Sequence, residues 1–369
     1  MRTTIPTLWL LLIVLLTTGS TLPVHNASQR VSQPEKDFEV FWQTYKDHYA
    51  FFRLHNVDWD KAYATYRPTI TARTTAAELQ ATLIQMVKPL EDGHITLVKG
   101  DEFLYKGTSK RHSYKTEFRE VQDAYWQTAY QTLQAAGFEN VRAVGLVVGR
   151  YQLLYLSKSA RNVGYIRLTR CFAELSGVMG TERQEKEDHQ RLLALFDDAV
   201  REMSSCTAII LDVRGNGGGH SGPAMASRFA SRRHLTHLVA ERQPGGYERF
   251  SAPTPVYLAP NPQLHYDRQL IVLTNDGTAS SAEELVVSLY QQPNVTTIGD
   301  NTAGMLSDMY QGRLSGKVQF TLSHQRYYAA DSTLLESIGV PVRLPVAHSR
   351  KELEQHLDPA ITKALQTIR

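Results

Sequence analysis

Cysteine is nearly absent. Only Cys171 and Cys206 occur in 369 residues, which excludes a disulfide framework as the basis of the fold. Each flanks a strand-like run, with a helical stretch crossing over between them. If those strands are parallel, the two sulfurs stand toward opposite ends of a sheet, beyond the ~7 Å that a disulfide can bridge. No Cys-x-x-Cys or His-Glu-x-x-His spacing is present, so neither a metal site nor a cofactor is expected. Dense Lys/Arg blocks are missing and the net charge is only +3, which disfavours nucleic acid as a partner. Internal repeats and low-complexity linkers are missing too. What remains is an ordinary globular composition, 42% hydrophobic and 21% charged, sufficient for a sizeable core.

The N-terminus carries an address. Arg2 precedes the uncharged run Leu8–Leu16, well short of the ~20 residues that span a bilayer. Small residues, Thr17 to Ser20, follow it. That order fits a secretory signal peptide over residues 1–20, with an uncleaved anchor as the alternative. No stable membrane span is expected after cleavage, and the mature chain is expected in an extracytoplasmic compartment. Residues 21–35, with Pro23 and Pro34, read as a disordered lead-in. An N-terminal helical region follows over 36–100: helical spacing runs from Phe38 to Met86 (Phe38, Phe41, Trp42 and Tyr45; Leu79, Leu83 and Met86), then come the turn Glu91-Asp-Gly-His94 and a strand-like Ile95–Val98. Residues 99–117 read as loop. From 101 to 369, strand-like runs (Ala143–Val148, Tyr151–Leu156, Val163–Leu168, Thr207–Asp212, Leu270–Thr274) alternate with helical ones (Arg119–Ala136, Glu182–Met203, Ala282–Tyr290), which points to an α/β core.

Two turns in that core carry chemistry. In Leu273-Thr-Asn-Asp-Gly-Thr-Ala-Ser-Ser-Ala-Glu-Glu284 a strand ends, two serines follow, and a helix begins. A serine at such a junction sits beside unpaired helix N–H groups that can stabilise an oxyanion. Ser280 with Glu283, and Ser281 with Glu284, also fit a capping box that needs no chemistry. The second turn, Asp212-Val-Arg-Gly-Asn-Gly-Gly-Gly219, can bring backbone N–H groups close to a ligand. Gly217, Gly219 and Gly222 also satisfy G-x-G-x-x-G, with Glu241 some twenty residues on, as in an NAD(P)-binding oxidoreductase. Against that stand the charged Asp212 and Arg214 and the export signal.

With these residues in view, the chain resembles the tail-specific, C-terminal-processing and tricorn-type serine peptidases. The likeness rests on Asp58-Trp59 with Tyr66-Arg-Pro68, Leu90-Glu-Asp-Gly-His94, Val163-Gly-Tyr-Ile-Arg-Leu168, Leu211-Asp-Val-Arg-Gly-Asn-Gly-Gly-Gly219, and Thr278-Ala-Ser-Ser-Ala-Glu283 running on to Ile298-Gly-Asp-Asn-Thr-Ala-Gly304. It implies a crotonase-like α/β sheet-and-helix core behind a small N-terminal helical region. Ser280 is then the nucleophile, Gly218 and Ser281 supply the oxyanion hole from free N–H groups, and peptides or unfolded protein tails are the substrates. Where the Ser-Lys branch of the family has its lysine, this chain has Met305, whose thioether takes no proton. The base is therefore His94, as in the tricorn-like branch, with Glu336 as the acid behind it and Asp92 as the local alternative. Two departures stand out: Gly93 replaces the serine that links base to acid in that branch, and the closing aspartate is missing from Gly339-Val-Pro-Val342. The interval from Leu97 to Val163 is too short for the PDZ domain of many Ser-Lys members. A degenerate relative that only binds apolar ligands or peptides is the rival from another class. The leader reading has its own test: protein recovered from an exporting host should begin near Ser20 or Thr21 on N-terminal sequencing, and intact Met1 in a soluble cytoplasmic fraction would refute it.

Overall fold

The computed structural model describes residues 31–109 and 113–368; the segment read as a signal peptide lies outside them. Among the described residues the strands are β1 (Thr96–Lys99), β2 (Glu102–Lys106), β3 (Arg142–Val148), β4 (Tyr151–Lys158), β5 (Val163–Leu168), β6 (Ala208–Asp212), β7 (His234–Glu241) and β8 (Thr254–Leu258). They continue with β9 (Gln269–Thr274), β10 (Val295–Gly299), β11 (Met309–Arg313), β12 (Val318–Ser323), β13 (Gln325–Ala329) and β14 (Leu344–Pro345).

The central sheet has the order β14-β10-β9-β6-β5-β4-β3. From β5 to β14 its pairs are parallel, and β3 and β4 add an antiparallel edge. Side chains alternate between faces along each strand. In β6, Ile209 and Leu211 pack with Leu192, Phe196 and Leu285, whereas Ala208 and Ile210 pack with Trp126, Leu133 and Ile361. Helices Glu182–Glu202 and Ser281–Tyr290 supply the first set and Gln122–Ala135 and Pro359–Thr367 the second. Because both faces are covered, the strand reads as a continuous apolar run. The α/β sheet-and-helix core expected from the sequence is therefore what folds.

The charged residues that spoiled an apolar reading at the end of β6 have a structural role. Arg214 pairs with Asp212 at 2.6 Å and Asp358 at 2.9 Å, all three buried, and the Tyr165 hydroxyl donates to Asp212 at 2.9 Å. Asp358 caps helix Pro359–Thr367 by accepting from Ile361 N–H, so the network fastens the chain's last helix to the sheet.

The N-terminal region is not a separable unit. Helices Gln33–His48, Trp59–Tyr66 and Ala76–Val87 share one cluster, in which Phe38, Phe41, Leu83 and Met86 pack with Phe320 and Leu322 of β12. Strand β1 pairs antiparallel with β12, Leu97 opposite Phe320, in a four-stranded sheet ordered β11-β12-β1-β2. Backbone pairing thus crosses the boundary drawn at residue 100. Two further expectations need correction. The first helix begins at Gln33, inside the segment read as lead-in, because Ser32 and Glu35 bond across its N-terminus. Residues 99–117 contain β2 and a short helix, Ser113–Glu117, whose polar composition hid a strand with exposed residues at both ends.

Cys171 and Cys206 are both free and buried. Parallel pairing of β5 and β6 places them as expected, one beyond the end of β5 and the other before the start of β6. Phe320, fully buried with its ring 4.7 Å from that of Phe41, joins the two halves of the molecule. Phe320→Ala should cost about 3–5 kcal/mol in denaturant unfolding; a loss under about 1 kcal/mol would show that the joint carries little stability.

Candidate active site

The turn after β9 delivers Ser280 to the first position before helix Ser281–Tyr290 with φ 55 and ψ −131. A positive φ is uncommon for a residue with a side chain, and such strain, of order 1–3 kcal/mol, persists only where the surroundings over-determine it. Here they do. Ser280 N–H faces the Met305 carbonyl at 3.0 Å and the Glu283 carboxylate at 3.1 Å. That carboxylate, fully buried, also accepts from Thr302 Oγ1 at 2.6 Å, Gly304 N–H at 2.8 Å and Met305 N–H at 2.8 Å. Burial still pushes Glu283 up to about 7 against those donors. Glu283 therefore does take part in the capping box foreseen from the sequence. The helix's N3 N–H bonds to the Ser280 carbonyl at 2.7 Å rather than to the hydroxyl.

The glycine turn lies directly against this serine. A Cβ at Gly218, where φ is +93, would stand 2.7 Å from Ser280 Cβ and 3.0 Å from Ser281 N, so only glycine permits the approach. Gly218 N–H is not free as expected: it donates to Asn216 Oδ1 at 2.9 Å. Asn216 is itself fixed, donating to the Leu168 carbonyl at 3.1 Å. Ser281 Oγ accepts from Gly222 N–H at 2.8 Å. This filling also overturns the dinucleotide reading. A Cβ at Gly219 would strike the Cys171 carbonyl carbon at 2.6 Å, and one at Gly222 the Ser281 carbonyl, so protein backbone stands where a pyrophosphate would lie. The helix after the turn has five residues, and Glu241 ends β7 in a separate sheet ordered β13-β7-β8.

His94 precedes β1 and is buried. Its carbonyl accepts from Thr321 Oγ1 of β12 at 2.6 Å, and its backbone N–H donates to Asp92 Oδ1 at 2.8 Å. Asp92 thus closes the turn with one oxygen. His94 Nδ1 and Asp92 Oδ2 are both buried and make no hydrogen bond among the described residues. Burial lowers the His94 pKa below the ordinary imidazole range; the charges of Asp92 and Asp308 work against that and Lys115 with it. Glu336 is buried too, and burial, then the Asp92 and Glu283 charges, raise it well above the carboxylate range. Backbone N–H groups of Leu306 and Ser307 face it. Tyr49 completes this group, its phenol raised by burial and by the charges of Asp92 and Glu336. Nothing in the sequence marked Tyr49, one of several aromatics at helical spacing, whereas Asn216 stood inside a motif already singled out.

Met305 joins the two halves of the site. Its carbonyl takes Ser280 N–H while its side chain fills the space beside Gly93: a Cβ there would meet the Met305 methyl and stand 2.9 Å from the sulfur. Gly93, in place of the linking serine, and Met305, in place of the lysine, are therefore one packing arrangement.

The helices before the His94 turn and the core that carries Gly218, Ser280, Met305 and Glu336 match known sequences. The model for Peptidase family S41 matches residues 162–344, and that for the Tricorn protease C1 domain matches residues 31–88. Over its α/β core the chain is similar to peptidase family S41, and over its N-terminal helices to the tricorn C1 domain. It is 31% identical over 150 residues to the carboxyl-terminal-processing protease of Synechocystis sp., a stretch covering 40% of this chain and 29% of that protein, so the chain spans less than a third of that curated relative. In fold, the chain is similar to a Parabacteroides merdae protein described as a peptidase (TM-score 0.69, 23% identity, 91% of this chain and 97% of the other). It is also similar to the tricorn protease (TM-score 0.54, 14% identity, 90% and 36%).

The shared space at Gly93 and Met305 predicts a coupled pair. Gly93→Ser alone should destabilise by about 1–3 kcal/mol through overpacking, and Met305→Ala added to it should recover most of that loss. Additive losses in a double-mutant unfolding cycle would show that the two positions do not compete.

Proposed function

We propose that this chain is an exported serine peptidase that cleaves peptides or unfolded protein tails, with Ser280 as nucleophile and His94 as general base. The observation that carries this reading is the strained Ser280 at a buried helix N-terminus, tied through Met305 to the turn that holds His94. Ser280 Oγ attacks the peptide carbonyl carbon while His94 takes its proton. The resulting oxyanion is held by Ser281 N–H and by Gly218 N–H, the latter shared with Asn216 as a three-centre bond. Collapse expels the amine with the proton returned by His94, and water then repeats the sequence on the acyl-enzyme. Glu336 and Asp92 orient the base and stabilise the imidazolium that forms.

A base acts only when deprotonated, and burial lowers the His94 pKa. The kcat/KM should therefore rise with pH through an apparent pKa below about 6.5 and be flat at neutrality. Ser280→Ala and His94→Ala should each lose at least ~10³-fold in turnover. Glu336→Gln should lose less, because the nucleophile, the base and the oxyanion donors all remain. Met305→Lys should not rescue His94→Ala, because a lysine base must be desolvated and aimed at the serine. The deciding measurement is covalent labelling by a fluorophosphonate probe. Label on Ser280 supports the peptidase, and no label on the folded protein would leave only a binding module on the same fold. Near-wild-type turnover in His94→Ala with an alkaline-shifted profile would instead establish a lysine base.

A further inference from the structure

The glycine turn that packs against Ser280 is gripped from its far side by a hydrogen-bonded chain of side chains. Asp188, on helix Glu182–Glu202, is 5% exposed and accepts from Ala173 N–H at 2.9 Å, Glu174 N–H at 2.6 Å and His220 Nε2 at 3.0 Å. His220 Nδ1 lies 2.8 Å from Ser221 Oγ, and His189 Nδ1, one residue beyond Asp188, lies 2.7 Å from the same oxygen. The loop between is fixed at three further points. Cys171 N–H donates to the Gly218 carbonyl at 2.8 Å, His220 N–H to the Cys171 carbonyl at 3.1 Å, and Gly222 N–H to Ser281 Oγ at 2.8 Å. The Asp188–His220–Ser221 order is that of a catalytic triad, but Ser221 is 1% exposed and no substrate reaches it.

A carboxylate only accepts, so His220 Nε2 carries a proton and, in the neutral ring, Nδ1 accepts from the Ser221 hydroxyl. Ser221 Oγ then accepts from His189 Nδ1–H. One added proton, on His220, reverses the two hydroxyl bonds and gains an ion pair with Asp188. A second added proton, on His189, leaves two N–H donors on one oxygen, strands the hydroxyl proton, and faces two cations with ring centroids 6.1 Å apart. Around His189 stand His220 and Arg228 on the opposing side and Glu185 and Asp188 on its own helix; the Arg228 guanidinium is taken up by Asp197 at 2.6 and 3.0 Å. Burial, then His220 and Arg228, hold the His189 pKa below the ordinary imidazole range, so the chain stays intact near neutrality.

We propose that Asp188, His220, Ser221 and His189 form a one-proton clamp that positions the Gly218 turn against Ser280 and releases it when a second proton enters. These are positioning residues, and their role rests on the peptidase reading of Ser280. The test is the rate of fluorophosphonate labelling of Ser280 against pH. With His94 as the single titrating group, the logarithm of the rate falls by about one per pH unit on the acid side. The clamp adds a second ionisation, so in the wild-type protein the slope should steepen toward two, and His189→Gln, which keeps a hydrogen-bonding group without titrating, should return it to one. Asp188→Asn should lower kcat by about ten-fold at neutral pH with KM moved less than about three-fold, a smaller loss than that of removing an oxyanion donor outright. A slope of one in both wild type and His189→Gln overturns the clamp alone. Absence of labelling at every pH overturns the peptidase reading and this inference with it. Should Asp188→Asn fail to fold, the His189→Gln slope still decides.

Discussion

One buried carboxylate organises the centre of this molecule. Glu283 gathers four donors, from Ser280, Thr302, Gly304 and Met305, at a position with no exposure to water. A buried donor or acceptor left unpaired costs about 1–3 kcal/mol, and the Gly304 and Met305 N–H groups depend on this carboxylate. The carboxylate therefore fixes the strained turn at Ser280 and the loop after β10 in one step. That loop then carries Met305 toward Gly93, the Leu306 and Ser307 N–H groups toward Glu336, and Asp308 toward His94. The conformation of Ser280 and the packing against the turn that holds His94 follow from the same side chain.

Burial is the first cause of the shifted ionisations at this site. It lowers His94 despite two nearby carboxylates, and raises Glu336 despite two backbone donors facing it. Both groups are driven toward neutrality, the state in which an imidazole can take a proton and a carboxyl can sit beside Asp92 without like-charge repulsion. Glu284, the residue after Glu283 in the first turn of the same helix, follows the rule, pushed up to about 7 by burial and then by Asp308. Where the structure keeps charge inside, as at Arg214 with Asp212 and Asp358, it pairs the ions closely and adds tyrosine hydroxyls. Breaking one member of such a set leaves an uncompensated charge, so these positions resist substitution.

The chain brings its site together from segments far apart in sequence. His94 reaches the site because β1 pairs with β12, more than 200 residues away, and the Thr321 hydroxyl bonds both the His94 carbonyl and Thr96 N–H. Ser280 and Gly218 arrive on neighbouring parallel strands, β9 and β6. Helices on both faces of that sheet leave the strand ends as the open edge, where α/β folds place their ligands.

Much of this was legible in the residues. Strand runs such as Thr207–Asp212 are apolar throughout because both faces of the sheet are buried, and the helix starts at Asp58 and Thr75 follow local capping chemistry that needs no tertiary partner. The resemblance to S41 peptidases likewise rests on short motifs whose order is written in the chain. Other features are set by neighbours distant in sequence. Strand β2 was hidden because its ends are polar and its place is fixed by pairing with β1. That Asn216 occupies Gly218 N–H, that Met305 fills the space beside Gly93, and that Tyr49 faces Asp92 and Glu336 could be decided only once the chain had closed. Periodicity and capping act over one helical turn or one pleat, so the sequence determines them directly. Excluded volume and burial act between whichever segments the fold brings together, and these decided the geometry and ionisation of the site.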